Sequence, residues 1–401
     1  MNSFLLCASH SPLNYCYARK PDRWEDIEQV YTELKATVED FQPELVFTFG
    51  SDHFNGFFLK LKPAFCIGSA AEATTDIGGF GGRLDVPESI AIESVNFLRA
   101  NGLDPAISYA MTLDHAFSQT LTRVLGGLNP YPTVPIFINC IPEPYVPFKR
   151  TRLMGEAIGD FISRLNKRVL LLASGGMSHH PRRYYPEYSG GDDSVSAWQL
   201  WGGDRAPSFT REEWLQRLED MHHEGAEMIA RGERTAADMH LNPEIDQRFL
   251  NILTRNELEL FDEWDQKKTV EEGGIGFMEL QGWLAAAAAH RAVGGTKPIV
   301  DIYAVTEELG IATGIVHAER NRPEIHGGPQ IEPTDSKDKI GSSSYRNSDQ
   351  VVSEGIDPKL VGEMVLQGIL NNEPYIVTSL ESKPPVEARL KAIRAAYEKP
   401  L

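Results

Sequence analysis

Cysteine is scarce in this 401-residue chain, where Cys7, Cys16, Cys66 and Cys140 are the whole supply. No two of them form a CxxC pair, so neither a disulfide framework nor a zinc ribbon can be read from the spacing. Cys7 and Cys66 fall inside apolar runs, where a free thiol behaves as a small hydrophobe. Positive charge is also short: 39 Lys and Arg stand against 57 Asp and Glu, a formal net charge of −18. A nucleic-acid surface needs a basic stripe and an anionic membrane a polybasic patch, and this balance speaks against both. No apolar run approaches the length of a membrane span. The amino terminus, MNSFLLCASHSP, has no basic region ahead of its short apolar stretch, unlike a secretory signal. With 41% hydrophobic and 24% charged residues, an ordinary globular balance, these absences predict a reduced, cytoplasmic enzyme.

Several catalytic signatures are missing as well. No GxSxG nucleophile elbow and no phosphate-binding P-loop occurs, and GGFGG at Gly78–Gly82 does not complete a dinucleotide fingerprint. His222 and His223 sit in HHEGAEM, which lacks the second histidine of a zincin and reads as a solvated helix face among Glu219, Asp220 and Glu224. His240, His290, His317 and His326 have no strand-end context.

What is present is an alternation of apolar runs and amphipathic stretches. Strands are expected at Phe4–Ala8, Glu44–Phe49, Ala64–Ser69, Ile107–Ala110, Val134–Asn139 and Val169–Ala173, with helices at about Trp24–Phe41, after Pro87, and at Phe148–Leu165. Ser189 to about Pro207 is polar and glycine-rich and reads as an exposed loop. Helices follow at about Arg211–Ala230, Pro243–Thr254 and Phe277–Ala292, the last through the strong helix formers Ala285–Ala289. Closing strands are expected at Ile299–Val305 and Ile311–Val316. The predicted fold is α/β: a layered sheet with helices on both faces, an active site at the strand carboxyl ends, and a C-terminal helical extension. The domain reading is a catalytic unit over 1–319, a linker or extended arm over 320–350, and a small helix–strand–helix extension over 351–401.

Four histidines stand just past four of the apolar runs. FLLCA precedes His10, ELVFTF precedes His53, AISYA precedes His115, and VLLLAS precedes His179. In open α/β sheets ligands gather at the carboxyl ends of the strands, so four such histidines predict a metal and acid/base centre in one crevice. Two neutral imidazoles and one carboxylate on one face, with the opposite positions open, make a mononuclear non-haem iron(II) site. His10 and His53 are the imidazole candidates. Glu279 is the candidate carboxylate, because it lies in an otherwise apolar helix start where an unpaired acid is costly to bury. It also fits an ordinary first-turn acid favoured by the helix dipole. His115 and His179 then remain for proton transfer, which imidazole performs near neutral pH. Ser174-Gly175-Gly176 reads either as a backbone anion nest beside His179 or as a tight turn.

At these residues the chain resembles the class III extradiol catechol dioxygenases, above all the 2,3-dihydroxyphenylpropionate 1,2-dioxygenase type, with protocatechuate and gallate dioxygenases more distant. The resemblance is carried by ASHSPL at Ala8–Leu13, PELVFTFGSDHFNGFF at Pro43–Phe58, LDHAFSQTL at Leu113–Leu121 and VPIFIN at Val134–Asn139. It continues through RTRLMGEAIGDFISRLNKRVLLLASGGMSH at Arg150–His179 and MELQGWLAAAAA at Met278–Ala289. It implies Fe(II) held by His10, His53 and Glu279, with His115 and His179 as the acid/base pair, His115 tending to base and His179 to acid. It further implies a small aromatic diol and dioxygen as reactants, both oxygen atoms entering the ring-opened product. A homo-oligomer is expected.

Two stretches depart from the family pattern. HPRRYYPEYSGGDD after His179 is basic and aromatic, so Arg182 or Arg183 is a candidate for a substrate carboxylate. The tail from about Arg320 exceeds a simple single-chain enzyme, and GIDPKLVGEMVLQGILNNEPYIVTS faintly resembles the carboxyl end of short-chain dehydrogenases. Tyr345 has Asp349 rather than Lys four residues on, so no nicotinamide chemistry is expected, and the tail is expected to cap the site or a neighbouring subunit. The competing readings are a zinc-type divalent-metal hydrolase on the same fold and a non-catalytic binding protein.

Overall fold

The first strand of the chain ends up in the interior of its main sheet. In the computed structural model, which describes residues 3–190, 193–205 and 208–319, β1 (Ser3–Ala8) is followed by α1 (Trp24–Phe41) and β2 (Leu45–Gly50). Next come β3 (Phe65–Gly68), β4 (Ala71–Ala73), β5 (Gly82–Arg83), α2 (Glu88–Ala100), β6 (Ala106–Ser108), β7 (Met111–Leu113) and α3 (His115–Leu125). Then β8 (Thr133–Ile138), α4 (Phe148–Ile162), β9 (Val169–Ser174), α5 (Ser194–Trp201), α6 (Arg211–Ala230), α7 (Pro243–Arg255), α8 (Gln266–Gly273) and α9 (Gln281–Ala292) lead to β10 (Ile299–Thr306) and β11 (Ile311–Glu319). The described residues fall in one unit, residues 1–325, and the expected linker and extension at 320–401 lie outside them.

Eight strands pair in the order β10-β11-β1-β9-β2-β8-β3-β6, and β5-β4-β7 form a small second sheet. The centre, β1-β9-β2-β8, is parallel throughout. Parallel strands are covered on both faces, which explains why SFLLCA, LVFTFG and VLLLAS are buried at every position instead of alternating with polar residues. Leu5, Cys7, Phe47, Phe49 and Leu171 pack toward α2, α4, α7 and α9, while Phe4, Leu6, Val46, Leu170 and Leu172 pack toward α1 and α3. Helices therefore lie on both faces, as the pattern of runs implies.

The alanine run of α9 has a second use beyond helix propensity. A Cβ at Gly155 would lie 2.1 Å from the Ala285 carbonyl oxygen, and one at Gly159 would lie 2.4 Å from that of Ala289. Small residues on both helices let α4 and α9 pack nearly backbone to backbone, and the short 3-10 turn Ile275–Leu280 ahead of α9 then reaches the strand ends. Several elements differ from expectation: α3 and α8 have no counterpart in the expected elements, and the helix expected over Phe277–Ala292 starts at Gln281 after the 3-10 turn. The stretch read as an exposed loop contains α5, because Asp193 caps it and Trp198 is buried against Trp214. Ile107–Ala110 shrinks to the edge strand β6, and His115 instead follows β7 of the small sheet.

Candidate active site

Strands β1, β9 and β2 end side by side, Ala8 opposite Ser174 and Phe49 opposite Ala173. The loops leaving them carry His10, His179 and His53 into one crevice, with β9 between two strands that precede it in sequence. Glu279 arrives from the turn before α9 and is buried. The Nε2 atom of His10 lies 3.4 Å from Glu279 Oε2, and that of His53 lies 3.1 Å from Oε1. A first-turn acid serving only the helix dipole would face solvent, which Glu279 does not.

The far sides of both imidazoles are fixed. His10 Nδ1 is 2.9 Å from Ser174 Oγ, which is itself 2.7 Å from Thr120 Oγ1. His53 donates its backbone N–H to Asp114 Oδ2 at 2.7 Å, and its Nδ1 lies 3.1 Å from the same oxygen. Asp114 also caps α3 by accepting from the Ala116 N–H. Such partners set the orientation of metal-ligating histidines. Gly176 donates its N–H to Glu279 Oε2 at 3.3 Å, so the glycine turn behaves in part as the expected anion-facing nest.

His115 opens α3 and stacks on His53 with ring centroids 4.5 Å apart. Its Nδ1 is 2.5 Å from Asp76 Oδ2, and its buried Nε2 has no hydrogen-bond partner among the described residues. His179 donates Nδ1–H to the Met177 carbonyl at 2.8 Å, which leaves Nε2 as an acceptor. Glycine makes room for this ring, since a Cβ at Gly276 would lie 2.1 Å from it. Ser178, the preceding residue, donates its N–H and hydroxyl to Asp246 at 2.8 and 2.7 Å, and Tyr303 donates to the same carboxylate at 2.9 Å.

The electrostatics are those of a site built around a cation. Asp52, Asp76, Asp114 and Glu279 are all buried within this region, with Lys62 as the nearby amine. Burial pushes the Asp52 carboxyl up to about 6 and raises Asp76, the neighbouring Asp114 adding to both. Burial works against Glu279 as well, but His10 and His53 overcome it and hold the carboxyl at about 2. Burial brings His10 down to about 3, against the pull of Glu279. The ligand-capable atoms of His10, His53 and His115 lie within 4.8 Å of one another, as do those of Asp76, Asp114 and His115. A divalent cation would offset the buried negative charge, so the donor set fits a metal.

All five histidine and glutamate candidates thus converge. The arginines proposed for a substrate carboxylate do not: Arg182 pairs with Glu187 and Arg183 with Glu224 outside the pocket. His222 corrects the solvated-face reading. It is buried, donates Nδ1–H to the Leu218 carbonyl at 2.6 Å, and stacks on Tyr184 with centroids 3.7 Å apart. The signal was helical phase, because His222 follows Trp214 and Leu218 at steps of four on the buried face of α6. Tyr184 and Tyr185 lie in the aromatic stretch after His179 but were passed over for its arginines, and Asp76 and Arg234 were missed, with nothing in their local sequence to mark them. With the histidines, Tyr184, Tyr185 and Arg234 line one pocket, which Leu309, Gly310 and Ile311 also line.

Residues 4–307 match the family described as the catalytic LigB subunit of aromatic ring-opening dioxygenase. The chain belongs to the LigB family. It is 38% identical over 295 residues, 73% of this chain and 91% of the relative, to a 2,3-dihydroxyphenylpropionate/2,3-dihydroxicinnamic acid 1,2-dioxygenase of Pseudomonas putida. Identity is 35% to the Cupriavidus necator protein of that name, over 79% of this chain and 97% of the relative, and 37% to the Escherichia coli one, over 74% and 92%. This LigB member is a ring-cleaving dioxygenase of the extradiol type, an oxidoreductase, and its buried cluster and family point to a metal cofactor. No helix among the described residues is long and apolar enough to cross a membrane.

Proposed function

We propose that this LigB protein is an iron(II)-dependent extradiol dioxygenase that opens a catechol bearing a carboxylate side arm, of the kind named for its relatives. In this reading His10, His53 and Glu279 hold the metal. Ferrous iron bound there would supply a Lewis acid for the diol oxygens and an electron relay between ring and dioxygen. The supporting observation is that two imidazoles from separate strand ends each present Nε2 to a different oxygen of one buried carboxylate, at 3.4 and 3.1 Å.

The chain's own groups account for the proton movements. His115 has Nδ1 against the Asp76 carboxylate, which orients the ring, and Nε2 without a hydrogen-bond partner among the described residues, which suits a base for the second phenolic proton. His179 has no carboxylate partner on its ring. Its Nδ1–H is committed to Met177, so Nε2 is the atom that would take up a proton and then hand it on as the acid. Tyr184 and Tyr185 wall the pocket and limit water around the reacting ring. A cytoplasmic homo-oligomer belongs to the same proposal, with gel filtration as its check.

Anaerobic loading with ferrous iron followed by 3-(2,3-dihydroxyphenyl)propionate should consume one dioxygen per substrate and give a yellow ring-opened product. Oxygen uptake absent with every catechol, together with hydrolysis supported by zinc, would reject the reading in favour of a metal hydrolase. The mutual approach of His10, His53 and His115 favours a second ligand set of three imidazoles. Replacing His115 by Ala separates the two: a rate loss of about 10²–10⁴ with iron retained makes it the base, and iron loss makes it a ligand.

A further inference from the structure

We infer that Arg234 recognises the carboxylate of the substrate's side arm and so sets the preference for acidic over neutral catechols. The inference rests on the proposed catechol reading and adds to it the residue that reads the arm. Arg234 lies beyond the end of α6, is only 8% exposed, and lines the pocket that holds His10, His53, His115 and His179. No other arginine and no lysine lines that pocket among the described residues.

The guanidinium is braced but not neutralised. Its Nη1 donates to the Tyr184 hydroxyl at 2.7 Å, and its carbon stands 5.2 Å from the centre of the Tyr184 ring, which in turn stacks on His222. Among the described residues no carboxylate comes within ion-pair distance of Arg234. The acid whose charge it feels, Asp238, spends one oxygen on both the N–H and the hydroxyl of Thr235. The other buried arginine among the described residues, Arg152, is treated differently: Asp262 takes it in a two-pronged pair and Glu156 adds a third bond. A guanidinium withdrawn from water without an anion is costly, and the cost is met when a ligand supplies one. Arginine carries five donors in a fork matched to a carboxylate, and the Tyr184 contact uses one of them. Tyr185, whose ring centre lies 5.1 Å from that of His53, and Tyr184, which holds the guanidinium, line the same pocket and offer a bed for the apolar part of the arm.

The test compares kcat/KM for 3-(2,3-dihydroxyphenyl)propionate and its neutral isostere, 3-(2,3-dihydroxyphenyl)propionamide, in wild type and Arg234→Gln. The ratio of acidic to neutral catechol should fall about 10- to 100-fold, the range of a lost charge-assisted hydrogen bond. An unchanged ratio overturns the inference and leaves Arg234 as a brace for Tyr184. Arg234→Lys, which keeps the charge but not the fork, should fall between the two and covers the case where the glutamine variant does not fold. Calorimetric binding of 3-phenylpropionate, which lacks the diol, reads the inference without turnover. Binding by wild type and not by Arg234→Gln supports it even if no catechol is cleaved; equal binding by both, or by neither, rejects it.

Discussion

Asp246 shows how a single side chain outside the pocket governs a residue inside it. The carboxylate accepts from Ser178 twice and from Tyr303 once, and Ser178 in turn accepts the Asn242 N–H, so the loop that presents His179 is tied to α7. Burial holds the Asp246 carboxyl at about 6, above its ordinary 3.8 and against the pull of those hydrogen bonds. The folded protein then binds a proton more readily than the unfolded chain between those values. The stability tied to Asp246 is complete below about pH 4 and is lost as pH rises through 6, a change of about 3 kcal/mol. Urea midpoints of wild type and Asp246→Asn, taken from pH 4 to 7, should therefore show the wild type losing ground to the variant as pH rises; parallel profiles would discard the assignment. At this scale the metal and acid/base candidates were legible because each closes a strand run or interrupts an apolar one, as His10, His53, His179 and Glu279 do. Asp76 and Arg234 were not, since each is placed by loops whose course depends on tertiary packing.

The contact of α4 with α9 carries the heaviest consequence among the elements. Gly155 and Gly159 admit the carbonyls of Ala285 and Ala289, and the turn bearing Glu279 is continuous with α9. Gly155→Ala gains helix propensity of about 1 kcal/mol but puts a methyl 2.1 Å from a backbone oxygen, which neither helix can yield without moving. We expect a net loss of about 1–3 kcal/mol in denaturant unfolding together with weaker metal affinity, since the shift is passed to Glu279. A stabilised variant with intact affinity would show that the helices are free to part. Most elements could be read from the sequence: α6 spans the expected Arg211–Ala230, and the parallel strands were visible as uninterrupted apolar runs. The failures share a cause. The helix α5 lies in a glycine-rich polar stretch and is held by the burial of Trp198, and β7 is three residues that make sense only beside β4.

For the whole molecule, every ligand candidate, both histidines proposed for proton transfer, Arg234 and their hydrogen-bond partners lie within residues 3–319. A chain ending at residue 325 is expected to bind one iron per chain as the full protein does, measured by metal analysis after anaerobic loading and desalting. Failure to retain iron would show that the unit depends on the remaining residues. Turnover of the same shortened chain decides the separate expectation that the tail caps the site, because an unaltered rate and substrate range would dismiss it. The layered α/β architecture followed from the order of the runs, but the position of each strand in the sheet did not, since register between distant segments is a property of packing.

That strand order bears on biogenesis. β1 is made before the other strands of its sheet, yet both of its neighbours, β9 and β11, are translated long afterwards, beginning at Val169 and Ile311. This early segment, apolar on both faces, has no neighbouring strand to join until Val169–Ser174 has been made. His10 travels with it, whereas Glu279 emerges only near the end of the unit. With the proposed ligands, acquisition of the metal would be postponed until long-range closure brings Glu279 to His10, and ion capture would report that the unit has closed.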